Sequence, residues 1–219
     1  MKMLSLLNFI AAVGLLINSA AVSAKIAPAL VVSTKAVSAP SFLTFDQRAR
    51  SGERLNVVFF GASLTWGANA SDPLQTSYRA DVARKFEAKY PGAHFKFYDG
   101  AIGGTGSQLG IFRLDRDVLR HHPDLVFLDF SANDNIYEAT PESLAPYEAI
   151  VRRLIVEAHC PVVQVIFPFQ WNVKPGEMQK MKRRDAHLAI ARAYHLPVGD
   201  AIELANRRVE SGAATLDEL

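Results

Sequence analysis

The chain reads as a three-layer α/β/α sandwich built on a parallel sheet of about five strands. Five short apolar runs, rich in β-formers, alternate with longer stretches whose apolar residues recur every three to four positions. The 219 residues are 49% hydrophobic and 21% charged, the profile of one globular domain with a large core. Strands that are apolar throughout must be covered on both faces, and parallel strands need right-handed helical crossovers.

Ahead of the first strand lie two segments of a different kind. Met1 and Lys2 precede an apolar span from Leu4 to about Ile17 and a small-residue exit at Val22-Ser23-Ala24, the pattern of a secretory signal over 1–24. Asn8 and Asn18 interrupt a span already short for a bilayer, so no stable membrane anchor is expected after cleavage, and the product is expected outside the cell or in the periplasm. Residues 25–54 read as a lead-in: Ala, Val, Ser and Pro without helical period, then Phe42 to Arg54, expected to pack on the edge of the domain. The domain itself is expected over 55–219.

The first strand, from Leu55, runs through Val57-Val58-Phe59-Phe60 and ends in Gly61-Ala62-Ser63. The loop Trp66 to Thr76 leads to a helix with Val82, Ala83, Phe86 and Tyr90 on one face, stopped by Pro91-Gly92. Phe95 to Tyr98 is the second strand and opens into Asp99-Gly100-Ala101-Ile102-Gly103-Gly104-Thr105-Gly106-Ser107. A helix with Ile111, Leu114, Val118 and Leu119 inward then runs to Pro123. Leu125 to Leu128 is the third strand, closing in Asp129-Phe130-Ser131-Ala132-Asn133-Asp134. Thr140 as cap and Pro141 at the first helical position start a helix burying Leu144, Tyr147, Ile150, Val151, Leu154 and Ile155. Val162 to Phe167 is the fourth strand. A helix from Glu177 to Tyr194 is expected to bury Met178, Met181, Leu188 and Ala191 and to expose Lys180, Lys182, Arg183 and Arg184. Leu196 to Val198 is a short fifth strand, and Asp200 with Glu203 caps a last helix.

Polar signals stand at the ends of the first three strands: Ser63, the Gly103-Gly104 loop, and Asn133-Asp134. In a flavodoxin-like order 2-1-3-4-5 the strand order reverses between the first and third strands, so Ser63 and Asn133 flank one crevice. Acyl transfer needs a nucleophilic hydroxyl and donors aimed at the oxygen that becomes negative, and a serine, an amide and a backbone N–H supply these.

These blocks resemble the SGNH/GDSL hydrolases, a family of esterases and deacylases, over Leu55 to the end of the chain. Gly61-Ala62-Ser63-Leu64 is similar to the block that holds the nucleophile, Ala101-Ile102-Gly103-Gly104-Thr105 to the second block, and Ser131-Ala132-Asn133-Asp134 to the third. The resemblance implies that Ser63 attacks an ester carbonyl, and that its own N–H, the Gly104 N–H and the Asn133 side chain form the oxyanion hole. It implies a small-molecule or glycan ester as substrate, and no cofactor. Two departures are local: Ala62 stands where the family name has Asp, and Asp99 where the second block often has Asn. The third concerns the base, which the family takes from a late Asp-x-x-His block. None of the six histidines (His94, His121, His122, His159, His187, His195) has Asp three residues before it. Asp185-Ala186-His187 reads as a surface helical pair, His121-His122 as a helix-terminal pair, and the expectation is a C-terminally truncated chain of poor or no activity.

Other classes find less support. A net charge of +2 with scattered basic residues does not suggest a nucleic-acid partner, and no zinc or phosphate-loop spacing occurs. Cys160 is the single cysteine, so no intrachain disulfide is expected. Two alternatives stay open: a non-catalytic binding domain for acylated glycans, and a flavodoxin-like phosphate or nucleotide binder using the Gly103 loop.

Overall fold

Five parallel strands lie in the order β2-β1-β3-β4-β5: β1 Arg54–Gly61, β2 His94–Asp99, β3 Leu125–Asp129, β4 Val162–Ile166 and β5 Val198–Asp200. The computed structural model describes residues 39–174 and 176–218; the expected signal over 1–24 and the first part of the expected lead-in, 25–38, lie outside the described residues. The helices are α1 Phe42–Arg50, α2 Tyr78–Lys89, α3 Ser107–Asp117, α4 Pro141–Arg153, α5 Lys182–Tyr194 and α6 Ala201–Glu210.

Side chains alternate across a strand, and each face of this sheet has its own core. Val58, Phe60, Val126, Leu128 and Val162 pack under α3, α4 and α5, against Leu114, Tyr147, Ile150, Leu154 and Ala191. Val57, Phe59, Leu125, Phe127, Val163 and Val165 pack against Phe45 and Ala49 of α1 and Tyr78, Val82 and Phe86 of α2. Phe59 lies at the centre of that second layer, stacked on Phe127 at 5.1 Å and met edge-on by Tyr78 at 5.7 Å. A smaller cluster joins Ile166, Val173, Met181, Ile202 and Ala205.

Helix starts follow local chemistry. Ser41, Ser77, Thr140 and Asp200 each accept a hydrogen bond from a backbone N–H of the following first turn. Pro141 takes the first helical position of α4. His122, His159 and His195 end the turns before β3, β4 and β5 with φ of 47°, 51° and 57°. That left-handed region is one that histidine visits more readily than most non-glycine residues.

Three expectations about α5 are corrected. The helix starts at Lys182 and is preceded by a separate 3₁₀ turn, Met178–Lys180. Arg183 and Arg184 are buried rather than solvated, because carbonyls and carboxylates from other elements surround them. His187, expected on the surface beside Asp185, is fully buried and stacks on Tyr147 at 3.9 Å. β5 also lies further on than expected, at Val198–Asp200.

Candidate active site

Ser63 sits where β1 breaks into a single helical turn, Ser63–Trp66. Ala62 is still extended, with φ −111° and ψ −150°, and Gly67 closes the turn with φ 106°. Ser63 therefore occupies the first helical position, where an N–H has no intrahelical acceptor. The bend is tight enough to exclude a side chain at Gly61: a Cβ there would collide with the Asp129 carbonyl oxygen and Thr65 Oγ1. Ser63 is half-buried, and its hydroxyl has no hydrogen-bond partner among the described residues.

The loop after β2 runs alongside. Ile102 N–H donates to the Gly61 carbonyl at 3.2 Å, and a Cβ on Gly103 would lie 3.7 Å from Ser63 Cβ. Gly104 has φ +73°, and the space its Cβ would occupy is open. Arg113 of α3 anchors both loops. Its guanidinium donates to Gly100 O at 2.5 Å, Gly61 O at 2.7 Å and Thr105 Oγ1 at 3.2 Å, pairs with Asp117, and lies over the Phe60 ring at 4.6 Å. Burial pulls its basicity down, opposed by Asp117, so the charge is held by its partners and not by water.

The loop after β3 is tied to the second loop by Asp134. Its Oδ1 accepts from Ser107 N–H at 2.8 Å, and a Cβ on Gly106 would come within 2.5 Å of the same oxygen. Asn133, one residue earlier, is exposed, and its side-chain amide has no partner among the described residues. Arg183 steadies this loop from α5. Its Nε donates to Asn135 O at 2.9 Å and its Nη1 to Ser143 O at 3.0 Å, and Nη1 lies 3.7 Å from Asp134 Oδ2. Ser63, Gly104 and Asn133 thus stand on three adjoining loops at the carboxyl edge of β1, β2 and β3, and each loop is hydrogen-bonded to its neighbour.

Under these loops lies Asp129, a carboxyl that sequence reasoning passed over as part of the third strand's end. It is fully buried. Oδ1 accepts from the Ser131 N–H at 2.9 Å and hydroxyl at 2.7 Å, and Oδ2 accepts from Thr65 Oγ1 at 3.2 Å. Ser131 Oγ accepts in turn from Phe167 N–H at 2.9 Å. One carboxyl therefore links the ends of β1, β3 and β4. Burial pushes its pKa up to about 6, against the pull of the Ser131 hydrogen bonds.

The histidines lie elsewhere. His94 opens β2, opposite Arg54 at the start of β1. Asn56 Nδ2 donates to His121 O at 2.8 Å and His122 O at 3.3 Å, the helix-terminal setting expected for that pair. His159 and His195 end the turns that lead into β4 and β5. All five are thus at the amino edge of the sheet, while Ser63 is at the carboxyl edge. At about 3.3 Å of rise per residue, strands of this length separate the edges by roughly 15 to 25 Å. His187 is inside the core, with neither ring nitrogen hydrogen-bonded among the described residues. Burial, helped by the Arg183 charge, pushes its pKa down to about 3.

The model of the GDSL-like lipase/acylhydrolase family matches residues 59–217. Among solved structures, a two-domain esterase active on acetylated mannans is 30% identical, with a TM-score of 0.70 over 81% of this chain. The chain spans only 45% of that esterase's length. An acetylxylan esterase from Geobacillus stearothermophilus, 23% identical, has a TM-score of 0.56 over 75% of this chain and 85% of its own, a likeness of fold alone. No curated protein matches the chain.

Proposed function

The chain belongs to the GDSL-like lipase/acylhydrolase family, and from that premise we propose that it is a serine ester hydrolase, an O-deacylase, with Ser63 as nucleophile. The observation that carries the reading is the convergence of the half-buried Ser63 hydroxyl, without a hydrogen-bond partner among the described residues, with the Gly103-Gly104 loop and the Asn133 amide on one sheet edge. Ser63 Oγ would attack the ester carbonyl, and the Ser63 N–H, the Gly104 N–H and Asn133 Nδ2 would hold the oxygen that becomes negative. Collapse of that intermediate expels the alcohol and leaves an acyl-serine, which water clears. The solved relative that acts on acetylated mannans favours an acylated glycan as substrate.

Attack by Ser63 requires a base to take its proton, and none of the six histidines is hydrogen-bonded to it among the described residues. Loss of the base in a serine protease costs on the order of a millionfold in turnover, so hydrolysis by this chain is expected to be slow. The same observation favours a second reading, a domain that binds acylated glycans without turning them over. The experiment is hydrolysis of p-nitrophenyl acetate and of acetylated mannan by the chain and by Ser63→Ala. Release of acetate above the Ser63→Ala background supports the first reading; equal rates with retained glycan binding support the second.

We further infer that residues 1–24 are an export signal and that the mature protein is secreted or periplasmic. The charged start, apolar span and small-residue exit support this.

A further inference from the structure

The loop after β4 carries a feature that the ester chemistry does not use. Phe169 and Trp171 stack face to face, with ring centroids 4.3 Å apart and planes inclined by 10°. Trp171 is nevertheless 51% exposed. Since Phe169 covers one face of the indole, the exposure falls on the other face and the ring edge. The turn that presents it, Gln170–Val173, is held from below. Asn172 is buried, its Oδ1 accepting from Phe169 N–H at 2.8 Å and its Nδ2 donating to Tyr137 Oη at 3.4 Å, and Val173 is buried beside it. Tyr137 Oη also lies 3.3 Å from Glu177 Oε2, so a hydroxyl and a carboxylate are linked to the turn that carries the ring.

We propose that Trp171, backed by Phe169 on a turn that Asn172 ties to Tyr137, is a platform on which a pyranose ring of a glycan substrate stacks. β4 is two strands from β1, about 10 Å at the usual strand spacing, and both loops leave the carboxyl edge of the sheet. The platform therefore takes the carbohydrate side of the ester rather than the acyl group. A pyranose presents an apolar C–H face of about the area of an indole and a rim of hydroxyls, which matches a flat exposed aromatic on a turn that also carries polar groups. A protein partner would call for a contiguous apolar patch of several hundred Å², whereas Lys174, Glu177, Gln179 and Lys180 follow Trp171. A rigid, pre-ordered aromatic also loses little conformational entropy on binding. The identity of the ligand as a glycan rests on the proposed function; the position of the platform rests on the stacked pair.

The test uses the full chain and two unacylated probes, mannopentaose and xylopentaose, so that binding needs no chemistry. By titration calorimetry at least one is expected to bind, Trp171→Ala to weaken it by roughly tenfold or more, the share of a central aromatic in an interface, and Trp171→Tyr to restore most of the loss. Thermal melts of the variants should match the wild type. The chain has two tryptophans, Trp66 and Trp171, so in Trp66→Ala the remaining emission belongs to Trp171 and should shift as sugar is added. Failure of both probes to bind, or wild-type affinity in Trp171→Ala, overturns the platform. Ser63→Ala should bind as the wild type does, which keeps the two readings apart. Sugar binding that depends on Trp171 without any Ser63-dependent hydrolysis sinks the esterase alone, and Ser63-dependent hydrolysis without sugar binding sinks the platform alone.

Discussion

Two buried titratable groups, His187 and Asp129, should give this protein opposing responses to acid, and separating them tests how both are placed. His187 has a folded pKa of about 3 against an ordinary 6.5. Between those values the unfolded chain holds a proton that the folded one refuses, so stability falls as pH drops. Asp129 has a folded pKa of about 6 against an ordinary 3.8. Between those values the folded chain holds the extra proton, so stability falls as pH rises. Each proton difference is worth about 1.4 kcal/mol per pH unit. From about pH 6 to about pH 4 the two slopes cancel in the wild type, each amounting to about 3 kcal/mol. His187→Phe keeps the stack on Tyr147 and removes one slope, so relative to the wild type it should gain up to about 3 kcal/mol as the pH falls across that range. Asp129→Asn should lose a similar amount over the same range. Urea unfolding of the three proteins at several pH values reads these differences directly, and groups common to all three drop out. Differences from the wild type that stay constant with pH in both variants would refute the reasoning, because neither group would then be titrating out of contact with water.

Asn133→Ala should lower turnover of an ester by roughly a hundredfold to a thousandfold, the usual loss of one oxyanion donor, with an unchanged melting temperature; full activity in that variant would remove Asn133 from the hole. Gly106→Ala should cost about 1 to 3 kcal/mol, since the new methyl meets Asp134 Oδ1. Gly92→Ala, where a Cβ meets nothing within 4 Å, should stay within about 0.5 kcal/mol in the same urea unfolding series. Amino-terminal sequencing of exported protein should begin at Lys25, and exported material that still carries Met1 would contradict the signal.

Much of this was readable along the chain because it is local. The strands are short apolar runs between turn residues, and Thr140 and Asp200 cap with their own side chains. Topology could be inferred because parallel strands joined by helices have few arrangements, and the sheet is built in the order 2-1-3-4-5. What escaped depends on partners distant in sequence. Arg183 and Arg184 look like a solvated helix face until Asn135, Ser143 and Asp200 are brought to them. His187 offered a signal: Arg184, His187, Ala191 and Tyr194 fall on one helical stripe, and the last two are plainly core residues. Arg113 gave a weaker one, a cation beside the inward Leu114. Nothing near Asp129 distinguishes it from an ordinary strand-end carboxylate, because a partner such as Thr65 comes from a distant part of the chain.

Ser63 is proposed as a nucleophile that none of the six histidines serves. The direct measurement is the rate at which a fluorophosphonate probe modifies the chain, followed by intact mass and peptide mapping. It would be made on the wild type, Ser63→Ala and single replacements of His94, His121, His122, His159 and His195 by Gln, and of His187 by Phe, with and without added imidazole. A slow adduct confined to Ser63 is expected, absent in Ser63→Ala, unchanged within about twofold by any histidine replacement and accelerated by imidazole, since a free base can then take the serine proton. An adduct on another residue, or its loss on replacing one of those histidines in a protein that still melts normally, would contradict it.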